Sequence, residues 1–157
     1  IDMTAIVMNN RIYGMTGGQF SPLSGCDIKA TTAPYKTIDH DFDVVDMATA
    51  SGATFVARTT TYHVQQLKDI LSRAISHKGF SVVEIMPQCP TNFGRRNKAG
   101  NAVAMMEHFK NSTINIGKQK DEADAAKTEI GVFVEKALPE YGDEYHNMVK
   151  TVQGGRS

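Results

Sequence analysis

Apolar residues along this chain fall into two rhythms, short continuous runs and one long stripe of helical period. Thr4 to Met8 (TAIVM) is a short run, partly β-branched, of the kind a strand covered on both faces of an α/β sheet would have. It ends at Asn9-Asn10. From there to about Asp41 the sequence holds Gly14, Gly17, Gly18, Pro22, Gly25 and Pro34 with no sustained periodicity, so a long loop with at most one helical turn is expected. Loops beyond about 12–15 residues are uncommon in compact domains and usually functional or disordered. Tyr13, Met15 and Phe20 inside this one favour function.

Phe42-Asp43 then opens a helix. Asp43 is its cap, Asp46 lies in the first turn where the helix dipole favours an anion, Phe42 and Met47 form a hydrophobic staple, and Gly52 stops it. Thr54 to Ala57 (TFVA) reads as a second buried strand, and Thr61 as the cap of the clearest helix. Val64, Leu67, Ile70, Leu71, Ala74 and Ile75 make an i, i+3, i+4 stripe, ended by Gly79. Phe80 to Met86 (FSVVEIM) is a third strand, broken by Pro87 and Pro90. Strand, helix, strand, helix, strand implies an α/β fold, a parallel sheet with crossover helices in which ligands gather at the carboxyl ends of strands. Asn9-Asn10 and Gln88-Cys89-Pro90 are two such ends. Beyond Arg95-Arg96, Ala102 to Lys110 reads as helical, Asp121 to Lys127 as loosely helical, Gly131 to Val134 as an extended edge segment, and Gly154-Gly155 as the start of a tail.

Composition narrows the class. A length of 157 residues is one domain's worth or part of one, and 17 basic against 17 acidic side chains give no net attraction to nucleic acid or anionic membrane. No apolar run approaches the roughly 20 residues needed to span a bilayer. No basic-then-apolar signal segment opens the chain, and with two cysteines, Cys26 and Cys89, far apart, a cytoplasmic, reducing setting is expected. Ile1-Asp2-Met3 runs almost at once into a strand pattern without an initiator Met, so the chain reads as the middle of something longer.

The segment Asn9-Asn10-Arg11-Ile12-Tyr13-Gly14-Met15-Thr16-Gly17-Gly18-Gln19 carries the most chemistry. It offers an amide at a strand end, a turn that presents carbonyls, and small residues that let the main chain approach a phosphate. Mg²⁺ takes six oxygens, few of them from protein, and Asn10 plus one carbonyl would suit it. A plain strand-to-loop turn uses the same residues, so spacing alone leaves both readings open.

The string NNRIYGMTGGQ, followed by SP, resembles the thiamine diphosphate motif of 2-oxoacid:ferredoxin oxidoreductase β subunits, and the resemblance continues through residues 53–91 to Gln88-Cys89-Pro90-Thr91. It implies that Asn10, by its side chain, and Ile12, by its carbonyl, bind the Mg²⁺ that holds the diphosphate. It further implies that Tyr13, Gly14 and Thr16 line that end of the cofactor, and that Cys89 is the last ligand of a [4Fe–4S] cluster. Such a cluster needs four thiolates, and the other three lie in a stretch that would precede residue 1. Residues 1–98 would then be the carboxy-terminal part of a thiamine diphosphate-binding domain whose amino-terminal part is missing. Residues 99–157 would be an extension packing on it or on a partner subunit. The implied reaction is oxidative decarboxylation of 2-oxoglutarate to succinyl-CoA, with coenzyme A as acyl acceptor and electrons passing through the cluster to ferredoxin. A companion α subunit completes the site, and no catalytic side chain is assigned within these residues. Arg11 and the Gly-Met-Thr-Gly-Gly turn resemble the 2-oxoglutarate branch of the family. A fragment of this kind is expected to be inactive by itself and to bind neither cofactor nor cluster tightly.

Other features are weaker. Asp39-His40-Asp41-Phe42-Asp43 has metal-ligand residue types but crowds a helix start where anions are favourable anyway. His63, His77, His108 and His146 are scattered, and Cys26 reads as a free loop thiol. Arg58 resembles the Arg of the family's Val-Ala-Arg turn without an assigned role. Arg95, Arg96 and Lys98 form a basic patch suited to an acidic ferredoxin, to coenzyme A phosphates or to plain solvent exposure. Two alternatives stay open: a non-redox thiamine diphosphate enzyme of the acetolactate synthase or decarboxylase type, which has no need of Cys89, and a non-catalytic α/β binding module.

Overall fold

A computed structural model describes residues 1–119 and 121–154; the tail expected from Gly155 lies outside them. The elements are β1 (Met3–Met8), α1 (Val44–Ala50), β2 (Phe55–Thr60), α2 (Val64–Ser76), β3 (Phe80–Met86), a π-helical turn (Pro90–Gly94) leading into α3 (Arg95–Asn97), then α4 (Ala102–Ser112), β4 (Thr113–Asn115), a 3₁₀ turn (Glu122–Asp124), β5 (Thr128–Glu135) and α5 (Tyr141–Gly154). The five strands form one sheet in the order β1-β3-β2-β5-β4. β1, β3 and β2 are mutually parallel, and β5 joins β2 antiparallel.

The order 1-3-2 dictates where the helices lie. The chain steps over one position from β1 to β2 and turns back to reach β3, so right-handed crossovers put α1 and α2 on opposite faces. The core follows. Phe55, Ala57, Val83 and Ile85 face Ile70 and Ala74 of α2, while Val56 and Val82 face Val45 and Ala48 of α1. Both faces of β2 and β3 are therefore buried, as their continuous apolar runs imply.

β1 departs from the expected double burial. It is an edge strand, and Met3, Ile6 and Met8 stay about half exposed. Gly131–Val134 departs the other way: rather than an edge, it belongs to a strand flanked by β2 and β4. Its register skips Phe133 between the pairs Val56↔Val134 and Ala57↔Val132, a bulge that leaves the Phe133 ring 5.8 Å from the Arg58 guanidinium carbon. The expected cap of α2 is also displaced. β2 runs on to Thr60, paired with Met86, so α2 starts only after His63, and the Thr61 hydroxyl instead donates to Gln88 Oε1 at 2.7 Å. α5 is a well-formed helix in a stretch where the hydrophobic pattern alone marks no element.

Phe55, with no exposed surface, anchors the α2 side. Phe55→Ala is expected to lower unfolding free energy by about 3–5 kcal/mol in chemical denaturation. Ile6→Ala, on the open edge of this chain, should change it by less than about 0.5 kcal/mol.

Candidate functional site

Side-chain alternation carries the α1 face of the sheet from apolar to polar at the strands' carboxyl ends. Val56 and Val82 pair within an apolar layer that Val7 packs against; two residues further along β2 and β3 stand Arg58 and Glu84, level with Val7, and Asn9 follows at the end of β1. Glu84 is 3% exposed and Arg58 9%. Such burial is tolerable only because each charge is bonded. Glu84 Oε2 accepts from Arg58 Nε at 2.6 Å, and Oε1 accepts from Asn9 Nδ2 at 2.7 Å. Arg58 Nη2 reaches Asp43 Oδ1 at 2.7 Å, and that same oxygen caps α1 through the N–H groups of Val45 and Asp46. Burial works to raise the Asp43 carboxyl, but the Arg58 contact and the two backbone N–H bonds outweigh it and hold Asp43 below the usual carboxylate range. For Arg58, burial works to lower the guanidinium, and Asp43 and Glu84 more than offset it. With Glu84 and Asp43, Arg58 therefore ties the mouth of three parallel strands to α1.

From Asn9 the network passes into the loop. The Asn9 carbonyl side chain accepts the Arg11 N–H at 3.1 Å, and the Arg11 carbonyl accepts the Ser24 hydroxyl at 2.6 Å, which together hold Arg11 at a left-handed φ of 63°. The Arg11 guanidinium turns inward, donating to the Ser24 carbonyl through Nε and Nη2 and lying 5.0 Å over the Phe93 ring. Burial lowers its pKa, partly offset by Asp41. Among the described residues Asn10 Oδ1 accepts only the Ile12 N–H, at 3.2 Å. Among the described residues no donor bonds the Ile12 carbonyl. An amide oxygen with spare capacity and an unpaired carbonyl two residues on form the donor set a hard oxygen-seeking cation takes.

The loop then closes on itself. Tyr13 N–H donates to the Gln19 carbonyl and Gly18 N–H to the Tyr13 carbonyl, with Gly17 and Gly18 at φ of 115° and 89°. Thr16 is exposed and its hydroxyl donates to Gln19 Oε1, Gly14 is half-buried, and Tyr13 and Met15 project outward.

Because β1 and β3 are neighbours, their ends open onto one cavity of about 310 Å³, lined by Asn9, Asn10, Arg11, Cys89 and Phe93 with Met105 and His108 from α4. Cys89 is half-buried, its sulfur free, packed beside Ile12 and Phe93. The structure thus brings Asn10 and Cys89 onto one cavity, with Ile12 in the apolar cluster that Cys89 packs against. Cys26 is elsewhere, its thiol donating to the Asp39 carbonyl at 2.9 Å. Among the described residues no group of three or more His, Cys, Asp or Glu is arranged to hold a metal, which includes Asp39 to Asp43. Glu84 is the functional residue that sequence reasoning missed, although an acid inside FSVVEIM and a base inside TFVAR were the signal for a buried pair.

Residues 1–85 match the family described as thiamine pyrophosphate enzyme, C-terminal TPP binding domain, and the chain belongs to that family. Within it, the chain is 41% identical over 156 residues to the 2-oxoglutarate synthase subunit KorB of Methanocaldococcus jannaschii, covering 98% of this chain and 58% of the relative. It is 34% identical to the KorB subunit of Archaeoglobus fulgidus, covering 57% of that relative. The chain therefore spans a little over half the length of these curated relatives. A solved structure of 2-oxoglutarate:ferredoxin oxidoreductase from Magnetococcus marinus, with 2-oxoglutarate, coenzyme A and succinyl-CoA bound, superposes with a TM-score of 0.80 at 25% identity, covering 98% of this chain and 54% of that one. No helix among the described residues is long and apolar enough to cross a membrane.

Glu84→Gln is expected to cost about 3 kcal/mol, because it removes the more buried of the two carboxylates paired with the Arg58 guanidinium, and Glu84→Gln with Arg58→Met should recover part of that loss. Asp43 has a depressed folded pKa, so its contribution is present above the unfolded value of about 4 and lost as pH falls through the folded one. Unfolding free energy followed from pH 6 to pH 3 should drop less steeply in Asp43→Asn than in the parent.

Proposed function

We propose that this chain is the cofactor-holding part of the β subunit of a 2-oxoacid:ferredoxin oxidoreductase acting on 2-oxoglutarate. The observation that carries the reading is the convergence of Asn10 and Cys89 on one cavity at adjacent strand ends, with the unbonded Ile12 carbonyl two residues beyond Asn10. The KorB relatives and the 2-oxoglutarate-bound neighbour favour this substrate over other 2-oxo acids. In this reading Asn10 Oδ1 and the Ile12 carbonyl hold Mg²⁺, and diphosphate and water complete its shell. Tyr13, Gly14 and Thr16 border the diphosphate, with the glycine turn letting the main chain come close. Cys89 contributes one thiolate to a [4Fe–4S] cluster, whose other three come from outside these 157 residues. Bound thiamine diphosphate would supply the electron sink for decarboxylation, and the cluster the exit for electrons toward ferredoxin. A companion α subunit completes the site, and coenzyme A accepts the acyl group. The residues of this chain orient the cofactor: Glu84 fixes Asn9, Asn9 fixes the backbone at Arg11, and Asn10 and Ile12 follow.

Two substitutions in the longer natural subunit, assembled with its companion, separate the two centres. Asn10→Ala should weaken Mg²⁺-dependent thiamine diphosphate binding by about tenfold or more, the order seen when a metal's surroundings are disturbed, with the cluster's electron paramagnetic resonance signal kept. Cys89→Ser should abolish that signal and leave cofactor binding intact. A cluster signal that survives Cys89→Ser would remove the redox reading.

A further inference from the structure

The glycine turn has a second wall. A Cβ built on Gly18 would lie 3.3 Å from Asn92 Oδ1, 3.5 Å from Arg96 Nε and 3.6 Å from Arg96 Nη2, and one on Gly14 would lie 3.7 Å from Asn92 Nδ2 and 4.0 Å from Asn10 Nδ2. Asn10, Asn92 and Arg96 thus gather around Gly14 and Gly18. Lys29 and Asn97 clamp the two segments together, the Lys29 N–H donating to Asn97 Oδ1 at 2.8 Å and Asn97 Nδ2 returning to the Lys29 carbonyl at 3.1 Å. Among the described residues Arg96 Nε is buried there with no hydrogen-bond partner. Neither segment carries a carboxylate of its own: residues 9–26 and 87–106 contain neither Asp nor Glu, while they hold Arg11, Arg95, Arg96 and Lys98. A guanidinium with a buried, unbonded N–H, set beside amide side chains and a turn with small residues, is matched by a phosphate, whose oxygens accept several donors at once.

We propose that Arg96, assisted by Asn92, is a diphosphate-binding residue that faces the terminal phosphate of the cofactor across the Gly14–Gly18 turn. This rests on the thiamine diphosphate reading given above. In this arrangement Asn10 and the Ile12 carbonyl meet the diphosphate through the cation, and Arg96 meets it directly. Gly18 suits this position because its φ of 89° strains any L side chain and because a Cβ there would crowd Asn92 Oδ1 and touch Arg96. The basic patch at residues 95–98 is therefore divided: Arg95 and Lys98 are exposed, and Arg96 turns toward the loop.

The test uses the full-length subunit in its complex, with calorimetric titration of thiamine diphosphate and of thiamine monophosphate in excess Mg²⁺. The parent should prefer the diphosphate. Arg96→Gln should weaken diphosphate binding by about 10- to 100-fold, the range for a lost charged hydrogen bond, and largely erase the preference, with monophosphate affinity nearly unchanged. Arg96→Lys should restore part of it. Asn92→Asp, which sets a carboxylate against the phosphate, should lower diphosphate affinity more than monophosphate affinity, and it decides the matter if Arg96→Gln does not fold. An unchanged preference in these variants, or equal weakening of both ligands, overturns the role of Arg96. A parent complex that binds no thiamine diphosphate overturns it together with the reading it rests on.

Discussion

Glu84 is the carboxylate on which the rest of this structure turns. It sits on the central strand of the parallel trio, nearly sealed from water, and one oxygen holds Arg58 on one side while the other holds Asn9 on the opposite side. A buried charge pair is not a reservoir of stability, since apolar side chains of similar volume often do as well. Its effect is to define geometry. A one-residue slip of β1 against β3 would turn Asn9 to the other face and leave Glu84 Oε1 without its donor. Register at the sheet's mouth is fixed by that cost, and Asp43 extends the same constraint to the start of α1.

The site inherits this order. Asn10 and Ile12 follow directly on a residue that is bonded into the sheet, so their oxygens are presented by a strand end and not by a free loop. Cys89 arrives at the same place because β3 lies next to β1, and Thr61, bonded to Gln88, steadies that turn from β2. The long loop after Asn10 is then folded back by its own backbone bonds and by the Arg11 contacts with Ser24 and Phe93. Arg11, part of the stretch that resembles the 2-oxoglutarate branch of the family, holds the loop closed through these contacts.

Much of this was legible in the residues themselves. Apolar runs with β-branched members marked β1, β2 and β3, and β3 agreed to the residue, because proline and glycine bound it on both sides. Asp43 was readable as a cap since short acids accept first-turn N–H groups. What escaped depended on partners distant in sequence. That β1 is an open edge, that β5 inserts beside β2, and that Thr61 bonds Gln88 are facts of strand pairing that no local pattern carries. Glu84 and Arg58 each stand in a different apolar run, and only the sheet register sets them face to face. Arg96 read as surface charge because its burial comes from Gly18, far upstream in the chain.

A metal-bound diphosphate and an iron–sulfur cluster meeting at the adjoining ends of β1 and β3 is the central claim. Anomalous diffraction from crystals of the complete enzyme, with Mn²⁺ in place of Mg²⁺, locates both metals at once. Manganese is expected about 2.2 Å from Asn10 Oδ1 and the Ile12 carbonyl, and iron about 2.3 Å from Cys89 Sγ, at ordinary metal–oxygen and metal–thiolate bond lengths. Manganese bound away from Asn10, or iron with Cys89 left as a free thiol, would contradict it.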